Sequence, residues 1–168
     1  MTIKIVEARG QARVEHAFAI RRAVFVQEQG VSQALEFDAR DGDARHLLAL
    51  RGSEPVGTLR LRSLDGGRTV KIERVAVLAH SRGARVGQAL LRAAVALAEA
   101  GGAQEARLHA QSAAQDFYAR LGFVALGPVF DEDGIPHIAM RRALRGATPA
   151  PDAVQAPSGG APGQARPG

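Results

Sequence analysis

Apolar and polar residues alternate over 2–7 (TIKIVE), the period of a β-strand. Over 11–29 the period lengthens. Val14, Ala17, Phe18 and Phe25 fall on one helical face, and Gly30 stops the helix. Residues 31–44 are polar and acidic and predict a loop. Two strands follow over 45–51 and 55–62, joined by a turn at 52–54; in the second, Leu59 and Leu61 face away from Thr58, Arg60 and Arg62. Asp65-Gly66-Gly67 is a hairpin signal, and a fourth strand runs over 69–78. An alanine/leucine-rich helix over 84–100 ends at Gly101-Gly102. A strand over 107–110, a helix over 113–121 closed by Gly122, and strands over 123–126 and 135–142 complete the order. The order β-α-β-β-β-α-β-α-β-β predicts an α/β (α+β) fold: a mixed, mostly antiparallel sheet of six to seven strands flanked by helices. One domain is expected over 1–146. From 147 to 168 Ala, Pro, Gly, Ser and Gln dominate, too little apolar surface to offset ordering entropy, so a disordered tail is expected.

The junction of strand and helix over 73–91 (ERVAVLAHSRGARVGQALL) carries the first chemical signal. A helix start leaves backbone N–H groups without partners and carries the positive end of the helix dipole. Gly83 and Gly87 allow close backbone approach, Ala84, Val86 and Gln88 offer N–H groups, and Arg82 offers a charged fork. That combination suits a pyrophosphate. The plain alternative is a strand–turn–helix connection with glycines at packing points.

Composition narrows the field. Cysteine is absent, which excludes disulfides, thiolate metal sites and a cysteine nucleophile. The net charge is +5, yet there is no basic run and no interleaved aromatics, so no nucleic-acid partner is expected. No secretory segment and no membrane-length apolar run is visible, which predicts a cytoplasmic protein without a membrane partner.

With the FYARLGF segment at 117–123, the turn Arg82-Gly83-Ala84-Arg85-Val86-Gly87 makes this chain resemble the GNAT superfamily of acetyl-CoA-dependent N-acetyltransferases. The resemblance spans about residues 3–143. The family's turn reads Arg or Gln, two residues, Gly, one residue, then Gly or Ala; here Arg85 stands at the middle glycine. The resemblance implies acetyl-CoA as cosubstrate, its phosphates at 82–88 and its pantetheine arm along Val75, Ala76 and Val77. It implies that Tyr118, the only tyrosine, protonates the departing sulfur, next to Phe117, and that Gln111 contacts the CoA chain.

Acetyl transfer to an amine also needs a base. A lysine-like amine has a pKa near 10.4, so holding it neutral at pH 7 costs about 4.6 kcal/mol. The family often places glutamate on the fourth strand, which points to Glu73, of the same side-chain parity as Val75 and Val77; a surface carboxylate is the equal alternative. The segments RRAVFVQEQGV, E-x-D and FDEDGIPHIAM resemble a subgroup of small bacterial members. Through them Phe25, Glu28, Glu36, His46, His109 and His137 are candidates for lining the acceptor side. No histidine has metal-ligand spacing to another, so no metal is expected. The acidic 36–43 segment suits a cationic acceptor, a small-molecule or protein amine, and a homodimer is permitted. The implied activity is N-acetyl transfer to a primary amine by direct attack; a CoA-binding protein without catalysis is the alternative.

Overall fold

The computed structural model describes residues 2–145; the tail expected over 147–168 lies outside them. The elements are β1 (Ile3–Glu7), α1 (Gln11–Arg21), α2 (Gln33–Glu36), β2 (Arg45–Arg51), β3 (Glu54–Leu64), β4 (Thr69–Val77), α3 (Val86–Ala100), β5 (Glu105–Gln111), α4 (Gln115–Arg120), β6 (Val124–Glu132) and β7 (Ile135–Ala143). The seven strands form one sheet in the order β1-β2-β3-β4-β5-β7-β6. Every neighbouring pair is antiparallel except β4 and β5, which α3 joins as a parallel crossover. The mixed, mostly antiparallel sheet read from the sequence is the observed one.

Two cores sandwich this sheet. On one face Leu90, Leu91 and Ala94 of α3 pack on Leu59, Leu61, Ile72 and Leu108, with Tyr118 and Phe123 at the side. On the other, Ala17 and Ile20 of α1, with Val24 and Phe25, pack on Leu48 and Ala76.

The element boundaries depart from the sequence reading in four places, each with a local cause. The first helix is α-helical only to Arg21 and continues as a π-helical segment, Arg22–Glu28. Residues 31–44 are not all loop: the Ser32 side chain accepts from Leu35 N–H at 3.2 Å and starts α2, and a 3-10 turn covers Asp41–Asp43. β6 runs on to Glu132 because its pairing with β7 resumes after an irregularity between Leu126 and Phe130, where Gly127 and Pro128 hide the strand pattern. The long helix starts at Val86, because Arg85 is left-handed (φ 63, ψ 23) and caps it from outside.

One irregularity decides the geometry of the site. Thr58 pairs with Ala76 and Arg60 with Glu73, so β4 holds one residue more than β3 between these pairs. This is a β-bulge, and Arg74 takes the left-handed conformation within it (φ 57). The extra residue resets the alternation. Val75 and Val77 join the α3-side core, while Glu73 shares the opposite face with Ala76. The common parity expected for Glu73, Val75 and Val77 is therefore broken.

Candidate active site

β4 and β5 are paired only from Thr69↔Glu105 to Ile72↔Leu108, although they continue to Val77 and Gln111. Beyond Ile72 the strands part and leave a cleft lined by Val75, Gln111 and Tyr118 among others. Leu78 N–H donates to Val56 O of β3 at 2.9 Å, so alternation turns the backbone groups of Val77 and Val75 to the opposite, open edge. Ala76, expected as a pantetheine contact, turns toward β3 and buries its side chain under α1, away from the open edge.

The open edge leads to the turn before α3. Among the described residues, no protein group accepts from the backbone N–H of Gly83, Ala84, Arg85, Val86, Gly87 or Gln88; the first bonded amide of the helix is Ala89, donating to Arg85 O at 3.0 Å. These amides form a patch of unmatched donors at the positive end of a 15-residue helix. Gly83 uses its freedom at φ 82. Gly87 sits where space is tight: a Cβ there would lie 3.3 Å from the Phe117 ring. Phe117 thus packs under the turn and, at 5.0 Å between ring centroids, beside Tyr118. Arg85, at the position where the family's turn has glycine, is left-handed (φ 63).

Arg82 does not point a free fork into this patch. Its Nε donates to Val77 O at 3.0 Å, and its two terminal nitrogens donate to the Glu28 carboxylate at 2.7 Å each. Glu28, expected on the acceptor side, ties the π-helical segment to the turn before α3. A second tie runs from the same segment: Gln111 Nε2 donates to Gln29 Oε1 at 2.9 Å across the opening between β4 and β5. Gln29 was not singled out in the sequence, because only the split sheet places it opposite Gln111.

Tyr118 is buried at the cleft's inner end, between Phe117 and Phe123. Its hydroxyl has no hydrogen bond to a described residue, and burial pushes its pKa up, so it stays protonated. The acid role implied for it needs that state.

Glu73 lies in the cleft wall but is engaged. It accepts from Arg60 Nε at 2.9 Å and Arg62 Nε at 2.7 Å, with Lys71 Nζ at 3.3 Å. Burial alone would raise its pKa; the three cations outweigh that and hold it at about 2. A carboxylate so stabilised takes up a proton poorly at neutral pH. Glu36 is buried, accepts from Arg21 Nε at 2.7 Å and has Arg74 Nε at 3.1 Å. Desolvation raises its pKa, against the pull of Arg21 and Arg74. Asp38 and Asp41 hold the fully buried Arg60 at 2.8 and 2.9 Å. The acidic segment therefore anchors arginines in the sheet and is not an open receptor for a cation. A buried guanidinium survives only with this many partners.

His46 is also structural. It is buried under α1, edge-on to Phe18 at 5.7 Å, and its Nε2 lies 3.1 Å from Asp41 O, where it donates. Burial lowers its pKa. It does not reach the cleft. Phe25, His109 and His137 do. His109 Nδ1 is 2.8 Å from Glu132 Oε1, and His137 Nδ1 is 2.7 Å from Ile135 O. Among the described residues no group of three or more His, Asp or Glu side chains is arranged to hold a metal ion.

Residues 8–144 match the family described as Acetyltransferase (GNAT) domain. "Uncharacterized N-acetyltransferase YjcF" of Bacillus subtilis is 36% identical over 141 residues, 83% of this chain and 99% of that protein. The crystal structure of Escherichia coli ElaA superposes with a TM-score of 0.74 at 31% identity, covering 84% of this chain and 99% of that one. That of an acyl-CoA N-acyltransferase from Pseudomonas aeruginosa gives 0.72 at 33% identity, covering 85% and 100%. Sequence match and superposition agree over nearly the whole described chain, and the chain belongs to the GNAT acetyltransferase superfamily.

Proposed function

We propose that this protein moves an acetyl group from acetyl-CoA to a primary amine by direct attack. The observation that carries the reading is the run of unbonded amides from Gly83 to Gln88, continuous with the open edge of β4 and ending at Tyr118. Such donors match a diphosphate, and the edge backbone of Val75 with the N–H of Val77 matches the amides of an extended pantetheine arm, the Val77 carbonyl being held by Arg82. A free N–H at that edge also stabilises charge growing on a thioester oxygen.

The chain's own groups then divide the work. The bulge at Arg74 aims the Val75 edge into the cleft. The amine nitrogen bonds to the carbonyl carbon, the carbon–sulfur bond breaks, and the sulfur leaves with the electron pair. Tyr118 donates its O–H hydrogen to that sulfur and regains one from the second N–H of the attacking nitrogen. The surrounding rings exclude water, so the hydrogen bond to the sulfur forms at low dielectric.

Isothermal titration with acetyl-CoA is expected to show one site with a micromolar-range constant, about −8 kcal/mol. Thiol release in the presence of an amine panel is expected to follow. No binding at millimolar ligand overturns the reading; binding without thiol release makes the protein a CoA-binding module.

A further inference from the structure

The reaction needs a base, and the cleft holds few free groups to act as one. Its titratable and charged members are Glu36 of α2, Lys71, Glu73 and Arg74 of β4, His109 of β5, Tyr118 of α4, Glu132 and Asp133 at the end of β6, and His137 of β7. Glu36, Lys71, Glu73 and Arg74 are occupied with one another or with Arg21, Arg60 and Arg62. Tyr118 keeps its proton. The remaining acid–base groups gather at one wall: His109, Glu132 and His137, with Asp133 on the turn.

Their hydrogen bonds set the tautomers. His109 Nδ1 lies 2.8 Å from Glu132 Oε1, and an ionised carboxylate only accepts, so the ring proton sits on Nδ1. Nε2 of His109 is then a lone pair without a protein partner among the described residues. His137 donates from Nδ1 to Ile135 O, which leaves its Nε2 at 3.9 Å from Glu132 Oε2. Phe130 packs edge-on to His109, with centroids 5.0 Å apart, and holds the ring's plane. A carboxylate on Nδ1 and an unpartnered Nε2, on a residue that lines the cleft, is the arrangement by which a histidine takes a proton and has the resulting charge compensated.

Resting on the acetyltransferase reading above, we propose that His109 is the general base for the acceptor, and that Glu132 is its positioning residue. The N–H bond of the acceptor ammonium breaks and its electron pair stays on nitrogen. The proton bonds to Nε2 of His109, Glu132 balances the imidazolium, and the proton passes on to solvent. The acceptor class is an alkylamine that is charged at neutral pH.

Thiol release from acetyl-CoA tests this with two kinds of acceptor: a panel of spermidine, tyramine and Nα-blocked lysine, and p-anisidine, whose amine is already neutral. With whichever alkylamine the wild type uses, His109→Gln is expected to lower kcat about 100-fold. With p-anisidine the same variant stays within a few-fold of wild type. Glu132→Gln is expected to lose about tenfold or more with alkylamines and to spare p-anisidine likewise. Acetyl-CoA affinity, read by titration, stays at the wild-type value in both variants and reports that they are folded. Equal losses with both acceptor kinds, or no loss, overturn the role of His109 while leaving the acetyltransferase reading intact. A wild type that binds acetyl-CoA but releases no thiol with any amine overturns that reading, and this inference with it.

Discussion

Arg85 holds φ at 63, a conformation that costs an L-residue about 1–2 kcal/mol. Arg85 holds that backbone within the run of unbonded amides before α3, and a glycine would accept it without strain. Arg85→Gly is expected to raise stability by about 1 kcal/mol, partly offset by unfolded-chain entropy, measured as a higher urea midpoint. Tyr118 tests the chemistry directly. Its ring packs between Phe117 and Phe123 and the residue lines the cleft, so Tyr118→Phe preserves the packing and removes one donor. The expected outcome is a kcat about 100-fold lower with an unchanged dissociation constant for acetyl-CoA, read by steady-state kinetics and titration. The strand–turn–helix motif and FYARLGF made both residues legible in the sequence. The tie of Arg82 to Glu28 was not legible, because 54 positions separate the partners and only the folded π-helical segment brings them together.

At the scale of elements, the bulge in β4 and the segment 31–44 depend on each other. The bulge presents Arg74, which bonds Leu35 O at 3.2 Å and has Asp38 Oδ2 at 3.4 Å. Asp38 in turn grips Arg60 with both carboxylate oxygens, at 2.8 and 2.9 Å. Asp38→Asn removes the charge from this clamp while Asp41 and Glu73 still hold Arg60. A loss of about 2 kcal/mol is expected in urea unfolding, with faster hydrogen exchange confined to 33–43. Alternation showed that Thr58, Arg60 and Arg62 share a face of β3. It did not show that the face is buried, since a lone strand of arginines reads as solvent-facing. The acidic segment reads as an exposed receptor for the same reason: pairing across 22 residues leaves no periodic trace.

For the whole molecule, the carboxylates set the acid limit of stability. Glu73 falls from an ordinary 4.5 to about 2 on folding, and Glu7, beside Arg45 and Arg9, does the same. Asp41 is also lowered: burial opposes the shift, and Arg21 and Arg60 prevail. A depressed folded pKa contributes stability above the unfolded value, and that contribution is lost as pH falls through the folded one. Glu36 runs the other way, since its raised pKa favours the folded state when protonated. The balance predicts a steep loss of urea midpoint between about pH 4.5 and about pH 2. Glu73→Gln is expected to be less stable at pH 7 by about 3 kcal/mol and to show a shallower acid transition.

The amino-acid order alone determined what is local and periodic: which segments become strands and helices, that the sheet is mixed, and that a donor-rich turn precedes the long helix. Periodicity and turn chemistry act over a few residues, so they can be read along the chain. Tertiary structure decided where β4 and β5 part, that the bulge at Arg74 moves Glu73 to the face opposite Val75, and that Glu36 and Asp38 serve arginines. It also decided that His46 is interior while His109 meets Glu132 in the cleft. Charges and hydrogen bonds act over a few ångströms of space, and folding chooses which distant residues come within that reach.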